Sequence, residues 1–143
     1  MLHCCARLSS LSQIVGDPVG QMGTAMEGAG GIGTINELLL QSHTGVLELF
    51  PQVPPGTPVS FDSLRARGAF LVSASMASGV RKKIVGVTIV SEVGRAVTLR
   101  TPWDCMDITV VATPGGVVTP SSAGDTISWD TKAGVSYAVA PSC

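Results

Sequence analysis

Acidic side chains in the N-terminal third of the chain could supply the two carboxylates that cleavage of a glycosidic bond usually needs. The candidates are Glu27, Glu37 and Glu48. The two groups of such a pair lie about 5 Å apart in retaining enzymes and about 6.5 to 9.5 Å apart in inverting ones. On one continuous helix Glu27 and Glu37 would be separated by roughly 15 Å. Since Glu37 is also expected to cap its helix and Glu48 to face solvent, these spacings yield no catalytic pair.

A glycine-rich run formally matches two phosphate-binding motifs. Residues 28–33 read Gly-Ala-Gly-Gly-Ile-Gly, and a helical pattern follows. A dinucleotide fingerprint needs a strand before it and βα units after it, but residues 21–27 are not strand-like. A P-loop needs Lys and then Ser or Thr where Thr34 and Ile35 stand. We therefore predict a flexible approach to the helix and no cofactor.

A serine hydrolase is not indicated either. The sequence has no Gly-x-Ser-x-Gly motif, and its two histidines are His3 and His43. His3 lies in an N-terminal tail, so His43 would have to act as the base. We interpret His43 as structural, because it falls in the last turn of a predicted helix, where a cation suits the helix dipole.

Two arginines and two tryptophans are the candidates for substrate binding. Arg65 and Arg67 stand two residues apart in a predicted strand and so would share a face. They could bind a sugar or a carboxylate, although an ion pair to neighbouring helices is the preferred interpretation. Trp103 and Trp129 could stack on sugar rings. Trp129 lies in an alternating apolar pattern and is predicted to be core, whereas Trp103 follows a proline at a strand end and stays a candidate.

The composition describes one domain, or one domain with an appended segment, in 143 residues. Charged residues make up 13% of the chain, against roughly 25% in an average soluble domain, and the mean hydropathy is +0.40. Two explanations stay open. Part of the surface normally faces a partner or an upstream segment, or the domain is a sandwich rich in Ala, Val and Gly.

The charge and the apolar pattern of the sequence argue against nucleic-acid binding and against a membrane span. With a net charge of −1 and no basic stripe, the chain lacks the footprint of nucleic-acid binding. No apolar run approaches the ~18 residues of a membrane span, and residues 1–16 make a poor signal peptide, so localisation stays open.

The four cysteines, Cys4, Cys5, Cys105 and Cys143, show no metal-ligand spacing. We predict no metal site, and a disulfide between Cys105 and Cys143 stays open.

One helix is predicted over residues 34–43. Thr34 is a suitable N-cap, and Glu37 follows three residues later as in a capping box. Gly45 can take the left-handed conformation that ends a helix. The helix carries an apolar stripe formed by Ile35, Leu38 and Leu39. A short apolar strand then runs to Phe50.

From Gly68 onward the apolar residues alternate with polar or small ones, which is typical of β-strands. The first clear example has Phe70, Val72, Ala74 and Met76 on one face. Together with this first one, the pattern gives about seven short strands at spacings near 10 residues, which indicates an antiparallel sandwich. The predicted fold is therefore mainly β, an antiparallel β-sandwich preceded by one α-helix. The predicted domains are residues 1–45, the glycine-rich lead and helix, and residues 46–143, the sandwich.

Several motifs resemble the end of the enzymes of glycoside hydrolase family 95, the α-L-fucosidases and their relatives. The motifs are residues 37–43 (Glu-Leu-Leu-Leu-Gln-Ser-His), 49–51 (Leu-Phe-Pro), 64–70 (Leu-Arg-Ala-Arg-Gly-Ala-Phe), 101–103 (Thr-Pro-Trp) and 133–137 (Ala-Gly-Val-Ser-Tyr). They occur in the family's order, and the resemblance covers roughly residues 26 to 140. It implies that the helix is the last of an (α/α)6 barrel and that the rest is the C-terminal β domain.

The resemblance also implies an inverting enzyme without a metal, whose catalytic Glu and water-positioning asparagines lie upstream in the barrel. The family's catalytic Asp would fall on Met26, with Glu27 beside it, and Gly28 and Ala29 stand where Asn and Phe are expected. The motif is not preserved. No catalytic residue is therefore carried over, and Glu27 is a candidate only after a one-residue shift.

Three hypotheses follow. The chain is the C-terminal portion of an α-L-fucosidase-like enzyme, inactive alone and partnered by carbohydrate only through the whole enzyme and its upstream barrel. Alternatively, it is a non-catalytic module that binds carbohydrate or protein, which an exposed aromatic pair would favour and a buried Trp103 would not. The third hypothesis is a truncated product whose apolar helix face stays exposed.

Overall fold

Two layers of mostly antiparallel strands enclose one apolar core. The computed structural model describes residues 2–3, 33–79, 83–104 and 107–142. Within them lie one short helix, α1 (residues 33–39), and twelve strands. The strands are β1 (Leu2–His3), β2 (Leu40–Gln41), β3 (Glu48–Leu49), β4 (Val59–Ala66), β5 (Phe70–Ala77), β6 (Lys83–Ser91), β7 (Val97–Arg100), β8 (Ile108–Thr113), β9 (Gly116–Val118), β10 (Ser121–Ala123), β11 (Thr126–Trp129) and β12 (Val135–Pro141).

The larger layer is a seven-stranded sheet with the strand order β1-β4-β5-β6-β12-β8-β9. Neighbouring strands are antiparallel, except that β1 runs parallel to β4. In β5 the residues Phe70, Val72, Ala74 and Met76 are buried, as their alternation predicts. Since successive side chains point to opposite faces of a strand, one face of this sheet covers the core and the other faces outward.

The smaller layer is a three-stranded sheet in the order β10-β11-β7, which the hairpin of β2 and β3 extends. Leu47 makes this connection. Its N–H donates to the Thr98 carbonyl over 2.8 Å, and its own carbonyl accepts from the Arg100 N–H over 2.9 Å. The prediction of a mainly β, antiparallel sandwich after one helix is confirmed. The hairpin spans the boundary proposed between residues 1–45 and 46–143, which stays a prediction.

Aromatic rings join the two layers inside the core. Phe50 follows β3 and is fully buried, with its ring centroid 5.2 Å from that of Phe61 in β4. Trp129 of β11 lies 6.2 Å from Tyr137 of β12 in the same way. Burial of one large apolar side chain contributes about 1.5–3 kcal/mol, so these pairs stabilise the packing of layer on layer. The prediction that Trp129 is a core residue is confirmed.

The helix is shorter than the predicted span of residues 34–43, because it ends at residue 39. The chain continues as β2, in which Leu40 lies opposite Leu49 of β3, and both leucines are buried. Tertiary packing of this hairpin outweighs the helical pattern. Gly45 has the predicted left-handed conformation, with φ of +85°, but it stands in the hairpin turn rather than directly after the helix.

The apolar stripe of α1 is only partly covered. Leu39 is 7% exposed and belongs to the core, whereas Ile35 is 44% and Leu38 39% exposed. Ile35 and Leu38 therefore form a small apolar surface on α1 beside the sandwich.

Among the described residues, no helix has the length and apolar character needed to cross a membrane.

Candidate functional site

Arg65, a predicted binding residue, lies near the end of β4 and is tied to an acidic neighbour. Both of its terminal nitrogens donate to the carboxylate of Glu92, over 2.6 Å and 2.9 Å. Glu92 follows directly after β6, so the ion pair reaches across the intervening β5. A bidentate pair uses the guanidinium fork in the geometry that would otherwise hold a ligand carboxylate. A substrate-binding role for Arg65 stays a prediction, and its observed contact is structural.

Arg67 has different partners, because β4 ends at Ala66 and Arg67 lies in the turn that follows. Its guanidinium donates to the His43 carbonyl over 2.9 Å, and its N–H donates to the Ser42 hydroxyl over 3.0 Å. The expectation that the two arginines lie in one strand is therefore wrong. Arg67 instead connects the turn after β2 to the sandwich. This contact is structural, but it is made to a hydroxyl and a backbone carbonyl, whereas the sequence interpretation was an ion pair to neighbouring helices.

Trp103, the third predicted binding residue, lies in the connection between β7 and β8. Its indole N–H donates to the Ile84 carbonyl over 3.0 Å, and the half-buried ring packs against the core. A sugar-stacking platform needs an open ring face, and no aromatic residue appears among the exposed large apolar side chains of the described residues. The observed role of Trp103 is to anchor its loop, and substrate binding by it stays a prediction.

The candidate Glu27 lies outside the described residues, as do Gly28 and Ala29. The same holds for the four cysteines, so the open disulfide between Cys105 and Cys143 is not addressed by the structure. Within the part of the chain that the structure describes, no cluster of three or more His, Cys, Asp or Glu side chains is arranged to hold a metal ion.

Two carboxylates come together around Arg100, which the sequence did not indicate. Glu48 of β3 lies 3.0 Å from Nη1 of Arg100, and Asp125 of the turn before β11 lies 3.0 Å from Nε. The guanidinium occupies the space between the two acids. In a glycosidase the scissile bond and a water must fit between the carboxylates, so this trio is a clamp that joins β3, β7 and the turn rather than a catalytic pair.

The buried hydroxyls of Ser91 and Thr131 are also fully engaged. Thr131 Oγ1 lies 2.6 Å from Ser91 Oγ and 2.6 Å from the Arg95 carbonyl oxygen. Since a carbonyl only accepts, Thr131 donates to Arg95, and the Ser91 hydroxyl donates to Thr131. Ser91 Oγ also accepts the Gly94 N–H over 3.1 Å. Neither hydroxyl is free to act as a nucleophile, and the network fixes the turns that follow β6 and β11.

A cavity of about 340 Å³ lies where the chain crosses from β9 in the larger sheet to β10 in the smaller one. It is lined by Ala96, Val118, Thr119, Ser121, Ser128, Trp129 and Asp130. Of these residues, sequence reasoning singled out only Trp129, and as core. Ser121 of β10 stands opposite Ser128 of β11 because of the strand register, which the sequence pattern alone does not fix.

The match to known families covers most of the described sandwich. The family model described as glycoside hydrolase family 95, C-terminal domain, matches residues 41–139. This match begins in β2 and ends in β12, so it includes every strand from β3 to β11 and the residues that line the cavity. The comparison with curated proteins gave no match.

Proposed function

Because the chain belongs to the family of glycoside hydrolase family 95 C-terminal domains, we propose that it is the C-terminal portion of an α-L-fucosidase-like enzyme. The whole enzyme would hydrolyse terminal α-L-fucosyl bonds, or related glycosidic bonds, in carbohydrate. The family match over residues 41–139 is the observation that carries this proposal. The choice of α-L-fucosides rests on the motifs that the chain shares with that family.

The chain alone should be inactive. The described carboxylates with ionic partners are used structurally: Glu48 and Asp125 bind Arg100, and Glu92 binds Arg65. Glu37 lies 4.0 Å from His43 on the exposed side of the helix and its connection. None of these contacts leaves room between two acids for a sugar and a water, as inversion requires.

The proposed role of the chain is to support an upstream (α/α)6 barrel. Ile35 and Leu38 expose apolar surface on α1, the helix that would be continuous with such a barrel. Arg67 holds the connection after β2 against the turn after β4. The exposed apolar face of α1 thus lies next to a connection that is held against the sandwich, which suits a permanent contact with another domain.

Two experiments test the proposal. The purified chain is incubated with an aryl α-L-fucoside, and no release of the aryl group is expected; measurable release would overturn the claim of inactivity. The coding DNA upstream of Met1 is then read for an in-frame continuation. Barrel helices carrying a Glu and paired Asn residues would support the proposed enzyme, whereas a stop codon or promoter there would contradict it.

The positions of the two tryptophans do not support the alternative hypothesis of a non-catalytic binding module. Trp129 is buried and Trp103 is half-buried and hydrogen-bonded, so the exposed aromatic pair that would favour it is not found among the described residues. Among the features of the described residues, the cavity between β9 and β10 is the one that favours a role in ligand binding.

A further inference from the structure

The outward face of the larger sheet carries almost no charge over five neighbouring strands, β5, β6, β12, β8 and β9. The one Asp, Glu, Lys, Arg or His in these described strands is Lys83, the first residue of β6. The smaller layer differs, because Arg100 is exposed on β7 and is paired there with Glu48 and Asp125. Depletion of charged residues distinguishes the centre of a protein–protein interface from the rest of a protein surface. The larger sheet therefore has the composition of a covered face.

Strand register places small side chains in one row across the middle of this outward face. Ser73 of β5 lies opposite Thr88 of β6, and Thr88 lies opposite Ala138 of β12. Ala138 lies opposite Val111 of β8, and Val111 lies opposite Val117 of β9. Val117 is 76% and Val111 37% exposed, and Ala138 is exposed as well. Since directly opposed side chains on one face are in contact range, the last three residues form one continuous apolar surface.

Charged groups lie at the border of this face. Arg65 of β4 stands opposite Leu71 of β5 and reaches past that strand to Glu92, which follows β6. The two charges are of opposite sign and are held together, so they add no net charge to the border. A charge-poor centre with a polar rim is the usual anatomy of an interface between proteins.

The size of the face is close to what a weak dimer needs. Strands of a sheet lie about 4.8 Å apart and rise about 3.4 Å per residue, so five strands of this length cover roughly 500 Å². Two copies packed through this face would bury roughly 1,000 Å², which is the lower bound for a specific interface. An interface of this size is expected to be reversible and to depend on concentration.

The charge of the face favours a second copy of this chain over a charged partner. A two-fold interface brings the same surface of both subunits together, so a charged face would oppose like charges and an uncharged one does not. The net charge of the whole chain is −1, so two copies repel each other little. The hydroxyls of Ser73 and Thr88 can both donate and accept hydrogen bonds, which lets them pair with a copy of themselves.

We propose that this chain forms a two-fold symmetric dimer in which the outward faces of the two larger sheets pack on each other. Ala138, on the middle strand of the face, lies near the symmetry axis. Sheets packed face to face lie about 10 Å apart, a spacing that short side chains such as Ala, Val, Ser and Thr allow. The exposed surface of α1 is separate, because α1 leads into β2 in the hairpin that extends the smaller layer. The dimer does not depend on the proposed hydrolase role.

The test measures the mass of the purified chain by sedimentation equilibrium from about 1 μM to about 1 mM, the range of weak association. We expect a transition from monomer to dimer within this range. A monomer at every concentration overturns the proposal. The double variant Ile35→Ser with Leu38→Ser should dimerise like the original chain. Loss of the dimer in that variant would place the contact on α1 and would also overturn the proposal.

A pair of charge variants locates the contact on the sheet. Ala138→Lys and Ala138→Glu should each weaken the dimer by at least about a hundredfold, because like charges meet near the axis. An equimolar mixture of the two should dimerise again, which also shows that both variants are folded. Val93→Lys is the control, since Val93 is 53% exposed in the turn after β6 and lies outside the five strands. It should leave the affinity unchanged.

A second position keeps the test decisive if a substitution at Ala138 prevents folding, which circular dichroism would reveal. Val117→Lys changes a residue that is 76% exposed on the edge strand β9, and it should weaken the dimer by about tenfold. A dimer that keeps its affinity in Val117→Lys and in the folded Ala138 variants would be formed through another surface, and the proposal would be wrong.

Discussion

The guanidinium of Arg65 meets the carboxylate of Glu92 through both terminal nitrogens, at 2.6 Å and 2.9 Å. The two residues belong to β4 and to the turn after β6, and β5 lies between these strands. The Glu92 N–H also donates to the Ala69 carbonyl over 2.9 Å, so the turn after β4 is held from the same position. Arg65 thus joins three consecutive strands at one end of the sheet.

Removal of this ion pair should cost little stability. Arg65→Ala is expected to lower the free energy of unfolding by about 0.5 to 1 kcal/mol, because the Arg65 side chain is 65% exposed and such pairs are screened by water. Urea unfolding at low and high salt checks this value. Arg65→Ala and Glu92→Gln together should cost no more than the larger single change, and Arg95→Ala is the control. Additive losses would contradict a shared interaction.

The Arg65–Glu92 pair also marks a limit of sequence reasoning. The alternation of Phe70, Val72, Ala74 and Met76 predicted β5 and its buried face, because it depends on neighbours in sequence. The partner of Arg65 depends on the order of β4, β5 and β6 in the sheet, and no local pattern specifies that order. The early end of α1 was missed for the same reason, since burial of Leu40 against Leu49 is a contact between segments.

The same limit applies to the candidate binding residues: the sequence shows their types but not their contacts. The sequence identified Trp103, Arg65 and Arg67 as polar or aromatic side chains in a β domain, but it did not give their partners. It did not indicate Ser121 and Ser128, which are ordinary residues until the register of β10 and β11 places them opposite each other. Residue type is visible in a sequence, whereas convergence of residues requires the fold.

Gly56 and Gly45 provide a matched pair for backbone strain, because both have φ of +85°. A Cβ on Gly45 would meet nothing within 4 Å, whereas one on Gly56 would lie 2.5 Å from the Gly79 carbonyl oxygen. Gly45→Ala should therefore cost about 1 to 2 kcal/mol, the left-handed penalty alone. Gly56→Ala should cost about 1 to 3 kcal/mol more, because the backbone must also shift. Thermal and urea unfolding of both variants test the difference, and equal losses would refute the predicted overlap.

The loop anchored by Trp103 should loosen when its hydrogen bond is lost. Trp103→Phe keeps an aromatic ring but leaves the Ile84 carbonyl without its donor, at an expected cost of about 1 kcal/mol. Hydrogen exchange of the described residues 101–104 should accelerate in the variant. The control is Val85→Thr, an exposed position next to Ile84, which should change stability by less than about 0.5 kcal/mol. Unchanged exchange in Trp103→Phe would mean that the hydrogen bond does not hold the loop.

The apolar surface of α1 tests the proposed contact with an upstream domain. In the isolated chain, Ile35→Ser with Leu38→Ser should change the free energy of unfolding by less than about 0.5 kcal/mol, because both side chains are already exposed. Leu39→Ala on the same helix should cost about 2 to 5 kcal/mol, because Leu39 is 7% exposed and belongs to the core.

The same double substitution should behave differently in a protein that carries the upstream barrel. If the barrel covers Ile35 and Leu38, their replacement by Ser removes buried apolar area and should lower the stability of the contact by about 1 to 3 kcal/mol. Limited proteolysis between the domains, compared with and without the substitutions, measures that loss. Identical proteolysis of the two proteins would show that the exposed face of α1 is not where an upstream domain binds, even if such a domain exists.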